Sequence, residues 1–493
     1  MALSRRKDEL VKELKDFRDG KQYRASVEML ARVSDDRKKV GIELEHKGVT
    51  RPDGSELMVG DWSPIVRAKF QLNPLLSVSA LVTFRVLSID PLTIFLKPLN
   101  LDPKSPPPTA PISAPKGFSG EIAASADVKD FETLGWACAT NALKDEAIDE
   151  ETFLGDIERV LAQRERILRD RLGKNDWRLL YMVFGETDRV QHMMFRHWDT
   201  QHPGYSKEAA ERGVTFFGRK MPIKDTIAEI YRQADRIVGE VWRRVNDGKT
   251  QLMIVSDHGF APFRTGVHLN KWLYDHGYLA VKDTKEIAKV KVPDLFKSKL
   301  PFPYVDWSNT RAYSLGLGKI YLNIKDREPR GIVDPKDAEA LEREIAAALE
   351  ADVDPDTKKP FVKKAYLARD IYPDRGKNMR EGDRDNSEDI VLGFQEGYRV
   401  SWESTLGGFT HDVGDVEHLL DKGHFLVPNR QKWSGDHCSV DPSLVTGIFF
   451  STQRFQAPTD APVPDVRHCA PTILQYFGLA IPAGLRAPLQ PVR

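Results

Sequence analysis

The middle of this 493-residue chain alternates short, almost wholly apolar runs with long amphipathic segments. The apolar runs cover residues 177–184 (WRLLYMVF) and 251–255 (QLMIV), and helices are expected over 149–172 and 222–245. Strands that are apolar on both faces need cover on both sides, which is typical of a parallel sheet between two helical layers. The sequence therefore predicts an α/β/α sandwich with a mostly parallel central sheet. In such sheets the chemistry lies just beyond the carboxyl ends of the strands.

Other patterns organise the rest of the chain. Residues 4–36 are charged, with apolar residues at helical spacing, and are predicted to form a helical hairpin. Residues 38–99 contain short strand-like runs separated by Gly, Pro and Asp, which predicts a small β-rich unit. The proline-dense segment 101–117 is expected to be a linker. We therefore predict an accessory unit over 1–117, the first part of the core over 118–279, an α+β cap over 280–430 and the second part of the core over 431–493.

Composition argues against several classes of function. Lys plus Arg and Asp plus Glu both number 73, so charge gives no reason to expect nucleic acid or an anionic membrane as a partner. The most apolar stretch, residues 78–97, is interrupted by Arg85, Asp90 and Pro91, and it is too broken for a membrane span. The first residues lack the apolar segment of a secretory signal.

The three cysteines are Cys138, Cys438 and Cys469. They are far apart, odd in number and not in CxxC spacing, which argues against a disulfide framework or a zinc site built on cysteine. Reduced thiols in a cytoplasmic protein are the expected state.

The first polar motif follows the first apolar run. Asp188 and His192 are four residues apart, so on a helix they lie on one face, one turn apart, and can reach the same metal ion. The pattern is common by chance, and on its own a helix-terminal Asp beside a partly buried His is the commoner explanation.

Two further motifs lie beside the second apolar run and near the end of the chain. Asp257 and His258 leave the 251–255 run directly, and Gly259 permits the sharp turn that would free both side chains. An Asp-stabilised turn is the competing explanation. His437 follows Gly-Asp shortly before the apolar run 444–451, and alone it is weak evidence for a site.

Together the three motifs supply two carboxylates and three imidazoles. These are ligands expected for zinc, manganese or iron. Two such ions a few ångströms apart reduce the repulsion between an anionic phosphate ester and its nucleophile, and they stabilise the leaving oxygen. The set therefore indicates phosphoryl-transfer chemistry.

The motifs, in this order, resemble the metal-binding blocks of the type I phosphodiesterase/nucleotide pyrophosphatase group of the alkaline phosphatase superfamily. The likeness extends over most of the chain. It includes the segments TDRVQHMMFRHWD, LNKWLYDHGYL, DWSNTRAY, YLNIKDREPRGIV and WSGDHCS. The resemblance implies an alkaline-phosphatase-like core and hydrolysis of phosphate esters with two divalent ions, zinc being expected and manganese the alternative.

The resemblance also implies how the ligands divide. Asp188, His192 and His437 would form one complete metal site, and Asp257 and His258 would form part of the other. The family completes that second site with an Asp and a Thr or Ser nucleophile from an earlier segment.

No counterpart of that earlier segment is expected in this chain, so the sheet would be incomplete at its amino-terminal side. The closest pattern offers Asp90 and Thr93, which are better explained as part of a β-hairpin of the accessory unit. Either Met1 is an internal start, or an upstream-encoded polypeptide supplies the nucleophile and completes the sheet, or the chain is a degenerate remnant.

Three functions therefore stay open at the level of sequence. The first is a phosphoesterase that acts when joined to the nucleophile segment. The second is a catalytically incomplete subunit that binds metal or phosphate. The third is a phosphomutase or sulfatase of the same superfamily, because the fold alone does not fix the reaction.

Overall fold

The computed structural model forms two compact units. Unit one comprises Met1–Met193 and Arg212–Gln233, and unit two comprises Met194–Glu211 and Ala234–Arg493. The residues that the structure describes are 8–15, 22–73, 76–107, 110–282, 302, 304–372, 385, 387–409, 423–456, 461 and 463–492. The division into four segments predicted from the sequence stays a prediction.

Unit one contains a β-rich part in which antiparallel sheets cover a common core. Strands β1 to β4 pair in chain order with β5 beside β3, strand β7 pairs with β6 and β10, and β8 pairs with β9. The strands of unit one are β1 (Asp8–Lys15), β2 (Gln22–Val33), β3 (Lys39–Leu44), β4 (Lys47–Val49), β5 (Leu57–Met58), β6 (Val66–Asn73), β7 (Leu76–Val82), β8 (Phe84–Ile89), β9 (Leu92–Leu96), β10 (Asn100–Leu101), β11 (Gly213–Phe216) and β12 (Arg219–Pro222).

The helical hairpin predicted for residues 4–36 is wrong where the structure describes them. They form β1 and β2, an antiparallel pair. Ala25, Val27 and Met29 are each buried and pack into the core of the β-rich part. A period of two places such residues on one face of a strand. The helical spacing of the neighbouring apolar residues competed with this alternation in the sequence.

The interpretation of Asp90 and Thr93 as hairpin residues is confirmed. They lie in and beside the turn between β8 and β9, where Thr93 pairs with Ser88 in the antiparallel ladder. Asp90 is exposed and forms an ion pair with Arg37 at 2.5 Å. Neither residue belongs to a core strand.

Helices are present in both of the long amphipathic segments for which the sequence predicts them, 149–172 and 222–245. The helices are α1 (Phe118–Ala124), α2 (Thr140–Lys144), α3 (Glu150–Lys174), α4 (Glu186–Trp198), α5 (Lys207–Glu211), α6 (Thr226–Val245), α7 (Leu269–Asp275), α8 (Ala338–Ala351), α9 (Ala368–Ile371), α10 (Trp402–Thr405) and α11 (Cys469–Tyr476). Helix α3 begins after Asp149, whose side chain accepts a hydrogen bond from the Thr152 amide at 2.8 Å. Among the helices that the structure describes, none has both the length and the apolar character needed to cross a bilayer.

Residues 177–184 do not form the predicted buried strand. The segment is irregular, and Leu179, Tyr181 and Val183 are 56%, 80% and 58% exposed. The carbonyl of Val183 accepts a hydrogen bond from Arg164 Nη1 at 2.9 Å, so a side chain occupies a position that a strand neighbour would take. The segment is mostly apolar, as a buried strand would be, but no strand pairs with it among the described residues.

Unit two contains the remaining strands in four sheets. Strand β14 is central to one of them and pairs with β19, β20 and β21. The strands are β13 (Met253–Val255), β14 (Ala261–Val267), β15 (Ala312–Ser314), β16 (Lys319–Leu322), β17 (Val362–Leu367), β18 (Ile390–Phe394), β19 (Gly397–Val400), β20 (Leu426–Pro428), β21 (Gly435–Asp436), β22 (Phe449–Ser451), β23 (Phe455–Gln456) and β24 (Gln490–Pro491).

The mixed α/β content is compatible with an alkaline-phosphatase-like fold. The mostly parallel central sheet is not confirmed, because β14 with β19 is the one parallel pair among the named strands of the described residues. The described residues between β14 and β20 include many that pack into one apolar core, in which Trp272, Tyr304 and Phe394 are almost completely buried. Strands β16, β18 and β19 lie in the region predicted to be an α+β cap.

Candidate metal centre

In unit one, helix α4 carries Asp188 and His192 on one face, as predicted. His192 Nε2 lies 3.3 Å from Asp188 Oδ1. The His192 side chain is buried, at 3% exposure, and that of Asp188 is 20% exposed. The geometry places two potential ligand atoms side by side with a partial opening to solvent. Their role as ligands remains a prediction.

The surroundings of this pair contain charges that the sequence analysis missed. Arg189 Nε lies 3.2 Å from Asp188 Oδ2, and its guanidinium lies 4.1 Å from the centre of the exposed Trp136 ring. Glu186 is buried in the first turn of α4, 3.0 Å from Arg164 Nε. Burial raises the pKa of the Glu186 carboxyl, and Arg164 opposes that shift. The only signal in the sequence was the position of Glu186 two residues before Asp188.

In unit two, the Ser256–Gly259 turn is held by the backbone that precedes β22. The Ser256 amide donates to the Ile448 carbonyl at 3.1 Å, and the Gly259 amide donates to the Val445 carbonyl at 2.6 Å. A Cβ on Gly259 would lie 2.5 Å from the Thr446 carbonyl oxygen. Glycine is therefore required here by close approach of backbone to backbone, and it fixes the direction in which the chain carries Asp257 and His258.

We expect Gly259→Ala to lower the free energy of unfolding by about 1–3 kcal/mol, because the added methyl forces two backbone segments apart. It should also weaken any metal binding that depends on His258. Thermal unfolding with and without zinc measures both effects. Gly48→Ala is the control, since a Cβ there meets nothing within 4 Å. Equal stability of the two variants would contradict the close approach.

Strand pairing brings His437 beside His258. Strand β21 pairs antiparallel with β14, with Asp436 opposite Ala261. The imidazole rings of His258 and His437 stack with centroids 3.4 Å apart and an interplanar angle of 9°. The Phe260 ring lies 5.5 Å from that of His437. Two motifs that are far apart in the sequence therefore meet, as the sequence analysis predicted for them.

Asp257 occupies the open side of this arrangement. Its side chain is 82% exposed, and Oδ2 lies 3.4 Å from His258 Nε2. The other ring nitrogen of His258, Nδ1, is 2.9 Å from the Gly259 carbonyl. A hydrogen bond from Nδ1 to that carbonyl would leave Nε2, on the side of Asp257, available for a metal ion.

The carboxyl-terminal turn of α4 lies in unit two, against both motifs. The Phe195 ring stacks on that of Phe260 with centroids 6.0 Å apart. The Arg196 amide donates to the Ser434 hydroxyl at 2.9 Å, three residues before His437. The carboxyl-terminal turn of α4 is thus anchored to the turn that carries His437.

The spacing of the ligand atoms fits a divalent ion bound by nitrogen and oxygen. Two atoms bound at about 2.0–2.1 Å in a tetrahedron lie about 3.3 Å apart. The separations within Asp188–His192 and Asp257–His258 are 3.3 and 3.4 Å. Both exceed the usual hydrogen-bond length of about 2.9–3.0 Å. The donor set of carboxylates and imidazoles suits zinc or manganese.

Two residues after the second motif have structural roles. Arg264 donates two hydrogen bonds to Asp199, at 2.7 and 3.0 Å, as expected for a salt bridge. Asn270 is fully buried and donates to the carbonyls of Ser314 and Gly408. Neither is directed to the histidine pair. None of the three cysteines forms a disulfide, and burial raises the pKa of the Cys138 thiol.

Comparison with known families gives one match. The family model described as type I phosphodiesterase / nucleotide pyrophosphatase matches residues 118–417, more than half of the chain. The matched range includes Asp188, His192, Asp257 and His258. No curated protein and no solved structure matches the chain.

Proposed function

The chain belongs to the type I phosphodiesterase/nucleotide pyrophosphatase family, and on that premise we propose that it takes part in metal-dependent hydrolysis of phosphate esters or pyrophosphates. The family suggests the reaction class, and the ligand arrangement in each unit supports it. The substrate would be an anionic phosphate ester that approaches the open side of the site, where Asp257 is exposed.

We propose that Asp188, His192 and His437 hold one divalent ion and that Asp257 and His258 contribute to the site of a second. Within unit one, the 3.3 Å separation of Asp188 Oδ1 and His192 Nε2 on α4 supports the share of these two residues in the first group. The ions, when bound, would offset the charge of the phosphate and of the leaving oxygen. The imidazoles and carboxylates of this chain fix where those charges are offset.

One observation carries the proposal: the Ser256–Gly259 turn and the turn after β21 converge so that His258 and His437 stack at 3.4 Å. Two imidazoles in such contact, one of them 3.4 Å from an exposed carboxylate, are costly to retain for packing alone, because their polar nitrogens must be desolvated. Ligation of closely spaced ions would explain why this costly arrangement is retained.

We further propose that the nucleophile, a Thr or Ser by family resemblance, comes from a segment outside these 493 residues. Exposed apolar side chains support a missing neighbour in each unit. In unit two, Val255, Ile448 and Phe450 on and beside β13 and β22 are 41%, 48% and 60% exposed. In unit one the corresponding exposed apolar side chains are those of Leu179, Tyr181 and Val183. A further strand of the core sheet would cover such surfaces.

The test is an activity measurement with and without the complementing polypeptide. We expect the chain alone to be nearly inactive on p-nitrophenyl phosphate and bis-p-nitrophenyl phosphate with zinc or manganese. Copurification with the polypeptide encoded directly upstream should restore hydrolysis by a factor of roughly 1,000 or more, since a nucleophile and its activation account for several kcal/mol.

The control is the same pair of polypeptides carrying His258→Ala, which should stay inactive. Full activity of the isolated chain would contradict the proposed location of the nucleophile. Absence of activity in both preparations, with metal still bound, would favour the second candidate function.

That second candidate is a subunit that binds metal or phosphate without catalysis. The exposure of Asp257, at 82%, favours it, because an incomplete second site leaves this carboxylate open to solvent. Inorganic phosphate binding by the zinc-loaded chain, without turnover, is the expected result in that case.

A further inference from the structure

Asp436, the residue before His437, is completely enclosed by hydrogen-bond donors. Its Oδ1 accepts from the amides of His437 at 2.8 Å and Cys438 at 2.9 Å. Its Oδ2 accepts from Trp433 Nε1 at 2.8 Å and lies 2.6 Å from Arg399 Nε. Only 1% of its surface is exposed. This carboxylate therefore connects the turn that carries His437 to a buried cation.

The cation belongs to a rigid cluster. Arg399 is as buried as Asp436, and its Nη1 donates to the Val400 carbonyl at 2.8 Å. Its guanidinium lies 4.2 Å from the centre of the Trp402 ring, which meets the Trp433 ring edge to face. Arg399 lies on β19, opposite Gly266 of the parallel neighbour β14. The support for the His437 turn thus comes from the predicted cap region.

A buried ion pair is a costly way to stabilise a fold. Desolvation of both charges largely cancels their attraction, and well-packed apolar residues of similar volume often serve stability as well or better. The charged pair instead fixes the orientation of the Asp436 carboxylate, because its two oxygens must face all four donors at once. Because Asp436 also accepts the amides of His437 and Cys438, its fixed orientation in turn fixes the backbone of His437.

A competing interpretation treats Asp436 as a ligand. Asp436, His437 and Cys438 offer ligand atoms within 4.8 Å of one another. Both oxygens of Asp436 are, however, already in contact with donors within the protein. The Cys438 sulfur lies 3.7 and 3.9 Å from the two ring nitrogens of His437, nearly equidistant, which is a contact with the ring rather than with one nitrogen.

We infer that Asp436, held by Arg399 and Trp433, is a positioning residue that fixes the imidazole of His437 for metal binding. The inference rests on the proposed role of His437 as a ligand. Loss of a residue that orients a ligand typically weakens metal affinity by about 10–100-fold. The same loss frees the amides of His437 and Cys438, which is measurable without any metal.

The experiment compares Asp436→Asn and Trp433→Phe with a matched control in the full chain. The control is Asp389→Asn, because Asp389 is another buried carboxylate that pairs with an arginine, Arg327, and accepts a backbone amide, that of Leu322. Zinc affinity is measured by competition with a chromophoric chelator. Amide exchange in residues 433–440 is measured by mass spectrometry on the metal-free proteins.

We expect Asp436→Asn to weaken zinc binding by about 10–100-fold and to speed exchange in residues 433–440. Trp433→Phe, which removes one donor and keeps the ring, should produce the same changes to a smaller degree. Asp389→Asn can lower thermal stability but should leave zinc affinity and exchange in this segment within twofold of the wild type. If Asp436→Asn does not fold, Trp433→Phe and the control decide the question.

The outcomes separate the inference from the proposed function. Unchanged zinc affinity and unchanged exchange in Asp436→Asn would overturn the positioning role. Loss of zinc as complete as in His437→Ala, with Trp433→Phe unaffected, would make Asp436 a ligand and overturn it as well. If the wild type and His437→Ala bind zinc equally, the ligand assignment fails, while faster exchange in the metal-free variants would still support the control of the turn by Asp436.

Discussion

His437→Ala and His192→Ala are each expected to lower zinc affinity by roughly 100- to 1,000-fold. Four-ligand zinc sites in small domains bind with about 10–16 kcal/mol, so one ligand is worth several kcal/mol. The wild-type chain should retain about one ion after dialysis, because the proposed first site would have three protein ligands. Both variants should retain much less. Metal analysis of the purified proteins gives the answer independently of any activity.

The matched control is His46→Ala, in which an exposed histidine of the β-rich part is removed. Its metal content should equal that of the wild type. Metal content unchanged in both His192→Ala and His437→Ala would disprove the ligand assignment and, with it, the proposal that these two histidines hold the same ion. Loss in only one of them would exclude the other residue from the site.

The second large effect concerns stability. Lys97 Nζ lies 2.6 Å from Glu132 Oε2 and 2.7 Å from Asp156 Oδ1, and all three side chains are at most 1% exposed. Lys97→Met leaves two buried carboxylates whose remaining cation is the partly exposed Arg159, 3.1 Å from Asp156 and 3.5 Å from Glu132. Removal of one partner of a buried ion pair typically costs about 3–5 kcal/mol. We expect a fall of that size in the unfolding free energy of unit one.

Calorimetry or urea unfolding followed by tryptophan fluorescence measures this change. The control is Arg32→Met in the same unit, which breaks the exposed Arg32–Glu43 pair and should cost less than about 1 kcal/mol. Equal costs for the two substitutions would show that Lys97 is not required to compensate the buried carboxylates. A larger loss in Lys97→Met is expected even when no metal is present.

Helices and the order of the motifs could be predicted from this sequence because their signals are local. Helix α3 has its capping Asp149 and charges that suit its dipole, and Asp188 and His192 need only helical spacing to lie side by side. The placement of His258 beside His437 depends on the pairing of β14 with β21. The resemblance grouped these motifs as metal ligands, but neither it nor the periodicity specified a contact between the two rings.

What could not be predicted depends on contacts between distant residues. The apolar run 177–184 has the composition of a buried strand, but a strand needs a neighbour, and Val183 bonds to Arg164 instead. The alternation of Ala25, Val27 and Met29 was hidden among residues with helical spacing. The role of Asp436 depends on Arg399, which no spacing rule connects to it.

The pairing of Val267 with Leu426 has a consequence for how such a protein can diversify. The long segment between β14 and β20 begins and ends at residues that are cross-strand neighbours. Such neighbours lie about 5 Å apart in ladders of this kind. Its length and content can therefore change while the two histidine-bearing turns keep their register. Arg399 sets the limit to this freedom. A replacement segment without a cation equivalent to Arg399 would change selectivity, but it would leave the turn that carries His437 less firmly held.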